Sequence, residues 1–315
     1  MTSFAKTIAA ERPEEIALRD PRQALTWLDV DNVLNRAANA IRLADTGPDL
    51  RIAVFAENGV ETALANLGGL IGGASVVPIN FHLTAEEVAY ILSDSGARMV
   101  FLGPETAERG LEAAALAGID QVIGWRCEIP GLKSWFEWLA ASSPEEPDTS
   151  IPPRPNLLYT SGTTGRPKGT HLPPTMFAGG DTVEAHLQNL KLNPLAALGP
   201  HLVVGPMYHT GPLSGARLLA AGAPSVILTK FDPENTLKTI AEYKTASTIM
   251  VQTHFVRLLA LDEATKAKYD TSSMVQVSHT GAKCPVDIKR AMIAWWGPLF
   301  IDAYGASEVG TTCMI

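Results

Sequence analysis

Residues 158–169, reading LYTSGTTGRPKG, bring hydroxyls, glycines and one lysine into twelve consecutive positions directly after an apolar run. Glycines let backbone N–H groups turn toward an anion, Ser and Thr hydroxyls add donors, and Lys168 adds positive charge. Such a loop suits a polyphosphate. A solvated surface loop draws on the same residue types, but an unbroken run of this length makes that reading the weaker one.

The P-loop of nucleotide triphosphatases requires G-x-x-x-x-G-K-[ST]. Counted from Gly162, Pro167 stands where the second glycine belongs, and Gly169 follows Lys168 where a hydroxyl should sit on magnesium. The template fails, and with it a kinase or P-loop ATPase producing ADP and phosphate. What the run resembles, almost letter for letter, is the phosphate-binding signature of the adenylate-forming superfamily: acyl-CoA synthetases, aryl-CoA ligases, luciferases and the adenylation domains of peptide synthetases. Further segments are similar to that family's motifs and fall in its order. They are Leu25-Thr26-Trp27, the stretch 70–80 ending in Val77-Pro78-Ile79-Asn80, Pro206-Met207-Tyr208-His209, Thr280-Gly281-Ala282 and Tyr304-Gly305-Ala306-Ser307-Glu308.

The resemblance implies ATP-dependent activation of a fatty, aryl or polycyclic carboxylic acid to an acyl-adenylate, then thioester formation with coenzyme A in the complete enzyme. It places Thr160, Ser161, Gly162, Thr163, Thr164, Gly165 and Lys168 around the β- and γ-phosphates of ATP. Glu308 would help hold Mg²⁺, and Ser307 would donate its hydroxyl to the α-phosphate. Tyr304 would stack on adenine in a pocket lined by Gly281, Ala282 and the backbone of Asp302 and Ala303, with Gly305 and Ala306 continuing the set. Lys283 departs from the family pattern and adds a cation near this pocket. His209 would lie beside the carboxylate. With Thr160, Ser307 and Glu308 it forms the candidate catalytic group. Amino-acid-activating relatives carry an Asp near His209 to pair with an ammonium, and Tyr208-His209 offers no such charge, which favours a plain carboxylic acid.

Beyond Y-G-x-[TS]-E the family continues into the rest of a large domain and a small mobile C-terminal domain. These carry a ribose-binding Asp, a hinge and an adenylation lysine, and none is located before Ile315. The expectation is a C-terminally truncated large domain that adenylates poorly alone. A non-catalytic nucleotide- or acyl-adenylate-binding module is the alternative, and a homodimer or a complementing C-terminal subunit stays open.

Composition agrees with a globular chain. The 315 residues are 46% hydrophobic and 18% charged, with a net charge of −8, which argues against nucleic acid or an anionic membrane as the main partner. No apolar run reaches the ~18 residues needed for a membrane span. Three widely spaced cysteines, Cys127, Cys284 and Cys313, fit a reducing compartment, and the start Met1–Lys6 lacks a signal sequence, so the chain is expected to be cytoplasmic. Cys284 reads as a small buried hydrophobe in preference to a reactive thiol.

These residues need elements to position them. Short β-branched runs at 51–56, 99–102, 121–123, 156–160, 201–204, 225–229, 247–251, 274–278 and 299–301 predict strands. Between them, 33–43 has helical periodicity at Val33, Ala37 and Ile41, and 85–94 follows the capping-box spacing of Thr84 and Glu87. Asp232-Pro233 opens a further helix. The alternation predicts an α/β fold of two lobes with mainly parallel sheets, 1–140 and 156–315, joined by a linker at 141–155 with five prolines. Loops at the carboxyl ends of such strands bind ligands. The phosphate loop follows the strand 156–160, and 211–214, 281–285 and 304–308 are expected at equivalent loops.

Overall fold

The computed structural model describes residues 4–160, 166–171, 179–306 and 310–314. Within them the strand–helix alternation forms two mainly parallel sheets and one short hairpin. The smaller sheet has the spatial order Ser75–Ile79, Arg51–Phe55, Met99–Leu102, Gln121–Gly124, Lys133–Ser134, with every pair parallel. Strand Ser75–Ile79 is buried throughout and contains Pro78. Proline lacks the N–H that a central strand must donate, and here it is placed at the sheet edge.

The larger sheet runs Gly310–Met314, Phe300–Ala306, Gln276–His279, Ser247–Met250, His201–Val203, Ser225–Ile227, Ile16–Arg19, Ala24–Thr26. Its two outermost pairings are antiparallel and the rest are parallel. The third sheet pairs Leu157–Thr160 with Lys168–His171, placing Thr160 opposite Lys168.

The helices begin where local chemistry dictates. Thr26 and Asp29 form a reciprocal capping box, so the helix runs Trp27–Leu43, starting well before Val33. Thr84 and Glu87 do the same for Ala85–Ser95, and Asp232 caps Pro233–Tyr243. Each such cap contributes about 1 kcal/mol. Helices Trp27–Leu43 and Val60–Ile71 approach closely at Gly68, where an added Cβ would lie 2.7 Å from that of Ala37.

The boundary expected at 141–155 does not separate two self-contained sheets. Strands Ile16–Arg19 and Ala24–Thr26, from the first 140 residues, complete the larger sheet: Leu18 pairs with Ser225 and Arg19 with Val226. The buried strand Ser225–Ile227 needs an edge partner, and the N-terminal hairpin supplies it. The proline-rich segment lacks helix and strand, as expected, but it is fixed in place. Arg36, Asn39 and Arg42, spaced along one helix, donate to the carbonyls of Ser142, Glu145 and Asp148. Prolines remove N–H donors and leave carbonyls, so side-chain donors are what such a segment requires.

Two motif loops are also corrected. Residues 304–306 belong to strand Phe300–Ala306, which pairs with Gly310–Met314, and Lys168 starts a strand of its own. The tyrosine and lysine motifs therefore lie on hairpins instead of strand-to-helix loops. Among the described residues no helix is long and apolar enough to cross a membrane.

Candidate active site

The Pro206–His209 segment follows strand His201–Val203 and is held by a residue far away in sequence. Asn58, 3% exposed, donates from Nδ2 to the carbonyls of Gly205 (2.8 Å) and Leu228 (3.2 Å), and its Oδ1 accepts from the Met207 N–H (2.9 Å). One amide thus joins the turn after Arg51–Phe55 to two loops of the other sheet. His209 follows as the N-cap of Thr210–Arg217, with extended backbone and no side-chain capping bond, so its imidazole is left for other work. Its ring lies 4.3 Å from that of Tyr208, and Phe81 meets Tyr208 edge-on at 5.6 Å. Partial burial holds the His209 pKa below the usual imidazole value, so it is neutral at pH 7.

Phe81 comes from the turn closing the 70–80 motif. Asn80 Oδ1 accepts from the His82 N–H (3.0 Å), and Arg109 donates to the carbonyls of Phe81 and Leu83. Two motifs more than 120 residues apart thereby form one aromatic wall.

The nucleotide-side motif lies next to this wall. Gly211 is so close to Ile249 and Thr280 that an added Cβ would approach their methyl carbons to 3.2 and 3.8 Å. Gly281 takes φ +93°, a left-handed conformation that favours glycine. Gln252, the first residue of its helix, donates to the Ala282 carbonyl and fixes the turn. Register between Gln276–His279 and Phe300–Ala306 pairs His279 with Asp302, so Thr280–Ala282 leave the sheet where Ala303–Tyr304 continue the neighbouring strand. Asp302 is 3.4 Å from the Lys289 ammonium, and its carboxylate serves this structural pair while its backbone stays in the strand. Tyr304 is 76% exposed. Gly305 and Lys283 are exposed as well. Cys284 is buried and burial pushes its thiol pKa up, as the inert reading expects.

The hairpin Leu157–Thr160/Lys168–His171 lies beside strand Ser75–Ile79, with Ser75 Oγ donating to the Pro155 carbonyl (2.8 Å). Thr160 is half-buried and Lys168 exposed. Ser161, Gly162, Thr163, Thr164, Gly165, Ser307 and Glu308 lie outside the described residues, as does the Ala306 side chain. Among the described residues no group of three or more His, Cys, Asp or Glu could hold a metal ion, and the expected Mg²⁺ ligand Glu308 is outside them. Gly211, two positions after His209, thus lies against Thr280, and Thr280–Ala282 follow the strand that pairs with the one carrying Ala303 and Tyr304, on the carboxyl-end side of the larger sheet's parallel strands.

Sequence reasoning missed Asn58, Phe81 and Gln252. Asn58 and Gln252 are isolated amides with no periodicity, and only tertiary contacts reveal them. Phe81 directly follows a recognised motif, which was the available signal.

Residues 5–315 match the AMP-binding enzyme family, and the chain belongs to it. It is 29% identical over 310 residues to a feruloyl-CoA synthase from an Amycolatopsis species, covering 96% of this chain and 58% of that protein. A long-chain-fatty-acid–CoA ligase from Mycobacterium tuberculosis is 30% identical over 228 residues, covering 69% of this chain and 42% of the ligase. The chain thus spans little more than half the length of such relatives. Among solved structures, the inhibitor-bound N-terminal domain of FACL13 from Mycobacterium tuberculosis superposes with TM-score 0.77 at 23% identity, covering 98% of this chain and 77% of that one. An anthranilate CoA ligase in complex with anthranoyl-AMP gives TM-score 0.80 at 21% identity, covering 98% and 60%. These two likenesses concern the fold.

Proposed function

We propose that this chain carries the acid- and ATP-binding part of an AMP-forming acid–CoA ligase. The observation that carries the reading is the approach of Gly211, two residues after His209, to Thr280, the residue before Gly281, on the carboxyl-end side of the larger sheet. An acid and a nucleotide bound at these two places would meet.

In the first step the substrate carboxylate attacks the α-phosphorus of ATP, forming the acyl–phosphate bond and releasing pyrophosphate. In the second, the thiol of coenzyme A attacks the acyl carbon, forming the thioester and releasing AMP. Joining two anions is the obstacle, so charge neutralisation and orientation are what the residues must provide. Lys168 and the Thr160 hydroxyl would face the β- and γ-phosphates, together with the loop 161–165. Tyr304 would stack on adenine over Gly281 and Ala282. His209, neutral at pH 7, would orient the carboxylate as a hydrogen-bond donor without trapping it as an ion pair. Ser307 would reach the α-phosphate. Mg²⁺, held in this reading by Glu308, would supply further neutralisation of the phosphates.

The Phe81–Tyr208 wall suits an apolar acyl group, so aryl or fatty acids are favoured over amino acids. Relatives named for feruloyl and long-chain fatty acyl groups support the same choice. The use of ATP and coenzyme A goes with a cytoplasmic setting.

The test is acid-dependent ATP–pyrophosphate exchange with a panel of aryl, fatty, polycyclic and amino acids, run on this chain and on any longer product of the same gene. Exchange with an aryl or fatty acid is the expected result. ATP binding without exchange for any acid would overturn the reading in favour of a non-catalytic nucleotide-binding module.

A further inference from the structure

The helix Ala85–Ser95 touches the phosphate-loop hairpin at successive turns. Near its C-terminal end, Asp94 accepts a hydrogen bond from the Tyr159 hydroxyl (2.6 Å), one residue before Thr160. One turn earlier, the Tyr90 hydroxyl donates to the Pro167 carbonyl (3.2 Å), one residue before Lys168. The Arg166 guanidinium lies 5.1 Å from the centre of the Tyr90 ring. One further turn back, Glu86 and Glu87 line a groove of about 690 Å³ with Tyr90, Arg166 and Pro167. Positions 86, 90 and 94 are i, i+4 and i+8, so they share one helix face. Both flanks of the segment 161–165 are thus tied to the same stripe of one helix.

These ties matter because the hairpin is packed on the core mainly through Leu157 and Leu158, at the end away from Thr160 and Lys168. A two-stranded hairpin is marginal by itself in water, and three of the four residues of Lys168–His171 are exposed. The two tyrosines work in opposite directions: the helix gives Tyr90 to the hairpin backbone, and the hairpin gives Tyr159 to the helix carboxylate. Pro167 cannot donate through its nitrogen, so its carbonyl is the backbone group it offers. Since Ala85–Ser95 packs on the smaller sheet, the hairpin is registered to that sheet, whereas Tyr304 and Gly281 belong to the larger one.

We infer that Tyr90, together with the Tyr159–Asp94 pair, is a positioning device that sets Thr160 and Lys168 against the triphosphate. The inference rests on the adenylation reading for its ATP readout. Tyr90 and Asp94 would act through the hairpin, to which both are bonded.

Tyr90→Phe keeps the ring under Arg166 and removes the bond to Pro167. Asp94→Asn weakens the other tie while preserving shape. In the active protein, each variant is expected to raise the KM for ATP about fivefold, the scale of one lost hydrogen bond, while the KM for the acid stays within about twofold. The double variant should show a larger rise. Amide exchange in Leu157–Thr160 and Lys168–His171, measured without ligand, should accelerate in both variants at unchanged Tm. Wild-type exchange and wild-type ATP KM in Tyr90→Phe would overturn the inference. So would a parallel rise of both KM values with a lowered Tm, the mark of a purely structural role. If exchange accelerates as expected but the wild type shows no acid-dependent pyrophosphate exchange, the adenylation reading fails and the positioning device stands.

Discussion

Asn58 uses both donors and one acceptor position of its amide to hold three backbone groups, and it is almost fully buried. Asn58→Ala would leave those groups without partners, at a cost of about 2–4 kcal/mol in a denaturant melt. Asn58→Asp should be worse, because it turns a carboxylate toward the carbonyls of Gly205 and Leu228. In an active form both variants should raise the KM for the acid before that for ATP, since the displaced loop carries His209. Equal stability of Asn58→Asp and wild type would refute this role. Two buried histidines give a second expectation. His201 is fully buried, with Nδ1 2.8 Å from Ser247 Oγ, and burial lowers its pKa to about 3; His186, equally buried, is lowered to about 4. Both stay neutral in the native state while the unfolded chain binds protons below the ordinary imidazole value, so stability falls with falling pH. The window runs from about 6.5 down to about 4, with a slope of up to about 1.4 kcal/mol per pH unit for each histidine. His201→Gln and His186→Gln should each flatten the loss of Tm between pH 6.5 and 4.5. A slope unchanged in both variants would show that other groups control acid unfolding.

Elements were legible wherever a local signal sufficed. The nine expected strand positions all carry strands, since short, largely buried runs rich in β-branched and apolar residues suit the strands of a covered sheet. The capping residues Thr84 and Asp232 also act as their spacing predicts. What was missed is short or paired at a distance: Ile16–Arg19 is a strand because Ser225–Ile227 lies beside it, Ala24–Thr26 because Ile16–Arg19 does, and Lys168–His171 because Leu157–Thr160 does. The proline-rich segment shows the same division. Its lack of helix and strand follows from its prolines, whereas its fixed course depends on donors from Trp27–Leu43. Arg36 ties the start of the segment to the helix before it, reaching the carbonyl of Ser142 (2.6 Å) as well as those of Leu139 (3.3 Å) and Ala140 (3.4 Å). Arg36→Ala is expected to cost about 1–2 kcal/mol and to open 141–150 to limited proteolysis several-fold faster. Unchanged cleavage would mean that Asn39 and Arg42 hold the segment without it.

At the scale of the whole molecule, the two sheets depend on each other more than a linker between two lobes suggests. In an open α/β sheet the crevice where strand order reverses is the usual ligand site. In the smaller sheet that point lies between Arg51–Phe55 and Met99–Leu102, and protein fills it. Glu57, 2% exposed with its pKa pushed up by burial, lies against Gly103, and the next residue, Asn58, bonds to the larger sheet's loops. The proposed ligand-binding positions lie on the larger sheet and the hairpin. One apolar cluster joins Trp27, Leu67 and Trp135 from the first half with Val183, Val203, Met207 and Ile227 from the second. A cut at residue 150 would therefore expose core on both pieces and remove the edge partner of Ser225–Ile227. Fragments 1–150 and 151–315, made separately, are expected to lack a cooperative thermal transition and to bind a hydrophobic dye, and co-expression should restore both the transition and the dye-free state. If either fragment alone melted cooperatively within a few degrees of the intact chain, the division at 141–155 would mark independent domains, and the Asn58 bridge would be a contact between them instead of part of a common core.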